Sequence, residues 1–217
     1  MSEFPATPPD LKNPPRIWNV PNQVTMARVV LTLVLFVLLG FNWYVAALVV
    51  FLVAAGTDWV DGYWARKYGQ VTQLGRILDP FADKLIICGT YIYLCASPML
   101  ANGKRASGIA VGVAVLIVGR ELLVTALRSF VEGIGGDFSA KWAGKWKMVA
   151  QCAAAALAIY QLSYLAPTTS GAIASWQTEP PAWLSTSLTI TVWATVLLTI
   201  YTGLDYVRDA LRFLRAE

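Results

Sequence analysis

The chain has 217 residues and not one histidine. That removes the usual acid–base group at neutral pH and a common ligand of zinc and haem iron. Charge is scarce too. Charged residues make up 14% of the chain and hydrophobic ones 57%, against about 25% and roughly 45–50% in a soluble domain. The three cysteines, Cys88, Cys95 and Cys152, all fall in apolar stretches. They form neither a Cys-x-x-Cys metal site nor a disulfide framework, and read as small apolar side chains. The first residues are polar and Pro-rich and lack the pattern of a cleaved signal peptide. A net charge of +4 on so apolar a chain belongs to basic loops at a membrane, not to nucleic acid, and no nucleic-acid partner is expected.

What remains is the composition of an integral membrane protein. At roughly 20 residues per span, the chain has room for about six spans and little else. The expected fold is all-α, a single membrane domain over 1–217 with six transmembrane helices. Residues 1–20 form a cytoplasmic or interfacial segment, where a short interfacial helix anchored by Trp18 can form. The spans fall at about 22–40, 44–68, 75–97, 108–131, 141–165 and 183–204. The last continues as an amphipathic tail carrying Arg208, Arg212 and Arg215.

Lys and Arg set the orientation. One set of helix ends holds Lys12, Arg16, Arg66, Lys67, Arg76, Lys84, Arg128, Lys141, Lys145, Lys147 and the three tail arginines; the opposite loops hold only Lys104 and Arg105. The positive-inside rule puts both termini on the cytoplasmic side of a bacterial-type cytoplasmic membrane, with Trp43, Trp176 and Trp183 at the far interface.

Against this apolar background one stretch stands out. Asp58, Asp61, Asp79 and Asp83 lie within 26 residues at the cytoplasmic ends of the second and third spans. Spacings of three and four put each pair on one helix face. The short connecting loop makes the two helices antiparallel, so all four carboxylates come out at similar depth. Ionisable groups inside a membrane are expensive and usually functional. An all-oxygen cluster selects a hard cation, Mg²⁺ or Mn²⁺, or Ca²⁺. Two such ions about 3.5–4 Å apart form the clamp used in phosphoryl transfer. A cation pathway or a structural ion site are the alternatives, but clustering at one end favours an enzyme. Gly62 leaves room beside the carboxylates, and Arg66 lies one turn further on.

Other charges sit where a membrane helix rarely tolerates them. Asn22, Thr25 and Arg28 crowd the start of the first span. Arg28 either snorkels to headgroups or faces the site, and its neighbours favour the site. Arg120, Glu121 and Arg128 lie in the fourth span, either as an internal ion pair that fixes packing or as a cationic pocket wall. Lys141, Lys145 and Lys147 open the fifth span, where positive charge opposes the helix dipole unless an anion is bound there.

The pattern Asp58-x2-Asp61-Gly62-x2-Ala65-Arg66-x8-Gly75-x3-Asp79-x3-Asp83 resembles the signature of CDP-alcohol phosphotransferases in every fixed position. That resemblance implies six transmembrane helices, a homodimer, a cytoplasm-facing cavity and a binuclear metal site. It also implies displacement of CMP from a CDP-linked donor. Asp58, Asp61, Asp79 and Asp83 would hold the two Mg²⁺ or Mn²⁺ ions, Gly62, Ala65, Arg66 and Gly75 would shape the CDP pocket, and Asp83 would be the general base. The flanks, Val20-Pro21-Asn22-x2-Thr25-x2-Arg28, Gly119-Arg120-Glu121-x3-Thr125-Ala126-Leu127-Arg128 and Gly144-Lys145-x-Lys147-x3-Gln151, narrow the likeness. They look like the members that join CDP-diacylglycerol, a membrane lipid, to glycerol 3-phosphate. Trp146 and Met148 stand where smaller or hydroxylic residues are common. Arg120, Arg128, Lys145 and Lys147, with Arg28 as a fifth, are the candidates for the acceptor phosphate. Inositol phosphate, serine and phosphatidylglycerol are the competing acceptors.

Overall fold

The structure, a computed structural model, describes residues 20–68, 73–134, 142–166 and 174–215; for 20–21, 58–68, 73–77, 143 and 214–215 it describes backbone alone. Six helices follow in order: α1 (Val20–Gly40), α2 (Tyr44–Tyr68), α3 (Gln73–Cys95), α4 (Val111–Gly133), α5 (Trp142–Leu162) and α6 (Ala182–Arg215). No β-strand forms among the described residues. The N-terminal segment expected to lie at the interface falls outside the described residues up to 19.

Helices α1 and α2 are joined by a tight turn in which Asn42 takes φ 61°, a left-handed conformation that Asn tolerates better than most residues. Trp43 N–H closes it on the Leu38 carbonyl at 2.9 Å. The longer α3–α4 connection is held by its own hydroxyls. Ser107 Oγ donates to the Leu94 carbonyl at 2.6 Å and accepts from Ser97 Oγ at 2.9 Å. Helix α6 does not stop where its apolar run ends; the amphipathic tail is the same continuous helix to Arg215.

Packing places α1 against α2 and α3, α5 against α2, α3 and α6, and α4 against α3 and α6. Two local choices allow close approach. Helix α5 turns Ala154, Ala155 and Ala158 inward, and small residues let neighbouring backbones come near. Gly89 on α3 leaves the space that the Phe36 ring of α1 fills; a Cβ there would collide with Phe36 Cζ. The fit of α1 on α3 fixes how Thr25 and Arg28 meet the third helix.

The distribution of side chains is inverted relative to a soluble protein. Val30, Val37, Val45, Val49, Leu52, Val115, Leu122, Leu197 and Leu204 are exposed, while Thr25, Arg28, Thr32, Lys147, Gln151, Thr195 and Thr199 are buried. Lipid as the surrounding solvent produces this pattern, because polar groups can be satisfied only from within the bundle. By length and apolarity, Asn22–Gly40 and Ala182–Phe213 qualify as membrane spans among the described residues. The charges of α3, α4 and α5 lower their hydropathy, and those charges are what build the site.

Candidate active site

The carboxylates of α3 are held by α1. Asn22, Thr25 and Arg28 recur every three residues, so they share one buried face of α1. Thr25 Oγ1 donates to Asp79 Oδ1. Arg28, only 2% exposed, reaches Asp83 Oδ1 through NH1 at 2.9 Å. Arg28 therefore faces the site, on the carboxylate side. Asp79 is exposed and the Asp83 side chain 35% exposed, so both carboxylates open outward from a buried support. Pro80 sits between them inside α3. Lacking an N–H, it leaves the carbonyl four residues earlier without its helical partner.

Asp58, Asp61, Gly62, Ala65 and Arg66 lie on the last three turns of α2, and Gly75 on the first turn of α3. For these residues only the helical backbone is described, so the meeting of all four aspartates lies outside the described side chains. Only four residues separate the end of α2 from the start of α3. No group of three or more metal-ligating side chains occurs among the described residues. The donor set itself, carboxylates with hydroxyls and no histidine, suits a hard divalent cation.

Facing these carboxylates is a set of charges from α4 and α5. Lys147 Nζ donates to Glu121 Oε1, which also lies 3.5 Å from Gln151 Nε2 and 3.4 Å from Arg120 NH1. Lys147 and Gln151 are one turn apart on α5 and almost fully buried, at 6% and 1% exposure. Arg128 reaches the Tyr206 hydroxyl of α6 at 3.4 Å.

A cavity of about 270 Å³ joins the two halves. Asp79, Asp83 and Lys84 of α3 line one wall, Glu121 and Arg128 of α4 another, and Lys147, Met148 and Gln151 of α5 the third. A slightly larger depression, about 310 Å³, runs along α6 beside Leu204, Arg208 and Leu211. It is built from one helix and has no carboxylate, so it lacks the elements of a reaction site.

Of the five expected acceptor residues, Arg128 and Lys147 line the cavity, and Arg28, Arg120 and Lys145 do not. Arg120 lies over the Tyr206 ring, its guanidinium carbon 5.5 Å from the centroid, with its stem against Gly203. Lys145 is exposed and sits over Trp142 at 5.9 Å. Lys84 and Gln151 on the cavity wall, and Tyr206 against Arg128, had no site role in the sequence reading. Gln151 could have been found as the residue one turn beyond Lys147. Lys84 follows Asp83 directly. Tyr206 had no signal, because the tail of α6 reads only as amphipathic.

The family model for CDP-alcohol phosphatidyltransferases matches residues 18–201. The protein belongs to this family and is a membrane-embedded CDP-alcohol phosphatidyltransferase. It is 32% identical over 164 residues to the CDP-diacylglycerol–glycerol-3-phosphate 3-phosphatidyltransferase of Bacillus subtilis, covering 68% of this chain and 80% of that protein. With the enzyme of the same name from Pseudomonas fluorescens it shares 40% identity over 120 residues, 54% of this chain and 58% of that protein. A cardiolipin synthase (CMP-forming) of Oryza sativa subsp. japonica is 35% identical over 149 residues, 65% of this chain and 45% of that protein.

Proposed function

We propose that the protein transfers the phosphatidyl group of CDP-diacylglycerol to glycerol 3-phosphate, giving phosphatidylglycerophosphate and CMP. The observation that carries this reading is the cavity in which the α3 carboxylates face Arg128 and Lys147. The acceptor must bring a hydroxyl to a base and a phosphate dianion to cations, and the two sets stand on opposing walls. The names of the Bacillus and Pseudomonas relatives support the same acceptor.

In the donor half, Asp58, Asp61, Asp79 and Asp83 would hold two Mg²⁺ or Mn²⁺ ions. When bound, the ions supply charge neutralisation at the pyrophosphate and leaving group. Gly62, Ala65, Arg66 and Gly75 shape the CDP pocket, and the acyl chains leave sideways into the bilayer. Arg28 holds the Asp83 carboxylate in place at 2.9 Å. Asp83 takes the proton of the primary hydroxyl of glycerol 3-phosphate. That oxygen forms a bond to the β-phosphorus. The bond between the β-phosphorus and the bridging oxygen breaks, and its electron pair leaves with CMP. Arg128 and Lys147 bind the acceptor phosphate, for which charge-assisted bonds are the strong ones.

All six helices cross the membrane in this reading, with the site and both termini cytoplasmic, and two copies form a homodimer. Exposed tryptophans at both ends of the bundle support the crossing: Trp43 and Trp183 at one, Trp142 and Trp146 at the other.

A CMP-release assay on the purified full chain tests the reaction. It would offer glycerol 3-phosphate, phosphatidylglycerol, serine and inositol phosphate in turn, with and without EDTA. Release with glycerol 3-phosphate alone, abolished by EDTA, is expected. Turnover of another acceptor in its place would sink the assignment.

A further inference from the structure

Glu121 is an odd residue to find in an anion-binding pocket. Its carboxylate lines the cavity and its side chain is only 14% exposed. A negative charge on the wall that receives a phosphate dianion weakens binding unless it does something else. The hydrogen bonds show how it is divided. Lys147, Gln151 and Arg120 all reach Oε1. No hydrogen bond from the described residues reaches Oε2. An ionised carboxylate oxygen only accepts, so Oε2 is left open to a donor from a ligand in the cavity that Glu121 lines, while Lys147 and Arg120 bond to its twin and Arg128 to Tyr206.

Glycerol 3-phosphate offers three polar groups. Its phosphate belongs with Arg128 and Lys147, and its primary hydroxyl with Asp83. One donor is left over, the hydroxyl on the central carbon. Glu121 lies on the cavity wall that carries Arg128 and bonds directly to Lys147. The geometry points to Glu121 as a specificity-determining residue: its Oε2 accepts a hydrogen bond from the secondary hydroxyl of the acceptor, while Lys147 and Gln151 lock Oε1 and fix the carboxylate. This rests on the glycerol 3-phosphate reading and adds to it what selects a polyol phosphate over a simple hydroxyalkyl phosphate. A site built around a substrate hydroxyl discriminates strongly against the analogue without it, by 10⁴-fold or more in the best cases, and about 100-fold is expected in a cavity that admits water.

The test compares kcat/KM for three acceptors in the CMP-release assay. They are glycerol 3-phosphate, 3-hydroxypropyl phosphate, and the analogue with fluorine in place of the central hydroxyl. The last two keep the phosphate, the primary hydroxyl and the chain length but donate nothing from the central carbon. The wild-type protein should prefer glycerol 3-phosphate about 100-fold over either. In Glu121→Gln and Glu121→Ala the preference should shrink below about 10-fold. If Glu121 is only an ion pair holding α4 to α5, both variants slow all three acceptors alike and the ratio stays, which overturns the proposal. So does a wild-type protein that uses the analogues within threefold of glycerol 3-phosphate, a result that needs no variant to fold. Failure of the underlying reading looks different: wild-type protein then releases no CMP with glycerol 3-phosphate while turning over another acceptor.

Discussion

The two walls of the cavity handle charge in opposite ways. On the α3 wall, Asp79 and Asp83 are supported from behind by Thr25 and Arg28 and open outward. Arg28 and Lys84 accompany Asp79 and Asp83 there; with Asp58 and Asp61 brought in, as proposed, carboxylates would outnumber cations and a bound cation would restore the balance. On the α4–α5 wall, Glu121 is matched by Lys147, Gln151 and Arg120 before anything binds. That wall keeps a surplus of positive charge, since Arg128 bonds to the neutral Tyr206 hydroxyl, and a ligand has to be fitted into a network already formed. In the proposed reaction the first wall would meet the charge that changes, and the second would recognise the acceptor. Substitutions on the first should act on kcat and on the second on KM.

The largest effect should come from Asp83→Asn. It keeps the shape but cannot take a proton, and kcat should fall about 10³-fold with binding of CDP-diacylglycerol retained. A fully active variant would remove Asp83 as the base. Arg28→Ala should come next, at about 100-fold in kcat, because Asp83 loses the group that holds it in position. A rise in KM for glycerol 3-phosphate with kcat unchanged would move Arg28 from the donor wall to the acceptor wall. Arg128→Ala and Lys147→Ala should each raise that KM by about 30-fold, the loss of one charge-assisted hydrogen bond, with kcat changed far less. Were kcat to drop instead, the division between the walls would be wrong. Lys145→Ala should stay within about twofold of wild type in both constants, since an exposed cation over an aromatic ring contributes little. A KM effect like that of Lys147 would bring Lys145 back to the phosphate.

The positions of the six helices were legible because each is a long, mostly apolar run, and the turns between them carry polar residues. Asp79 and Asp83, picked out by their spacing, do lie on the cavity wall, while the side chains of Asp58 and Asp61 fall outside the described residues. The acceptor wall was harder to read because its residues meet across helices. Arg120 and Arg128 are eight apart, close in angle by about 80° but separated by about 12 Å of rise. Only Arg128 reaches the cavity. Lys145 and Lys147 are two apart, so a helix turns them about 160° from each other; one lies over Trp142 and the other is buried against Glu121. Tyr206 touches both Arg120 and Arg128 from a helix whose sequence gives no hint of it.

The inverted arrangement of side chains also bears on what keeps the bundle together. Helices already in lipid gain no hydrophobic energy by associating, and rely on packing and on hydrogen bonds between them. Here the bonds that cross helices include Thr25 and Arg28 to α3, Lys147 to Glu121, and Arg128 to Tyr206. Each involves a residue on the cavity wall, and such bonds contribute about 0.6 kcal/mol apiece on average. Cohesion and chemistry thus draw on the same few side chains. A drift in sequence that loosened the cleft would also loosen the fold, whereas the lipid-facing valines and leucines are free to change as long as they stay greasy.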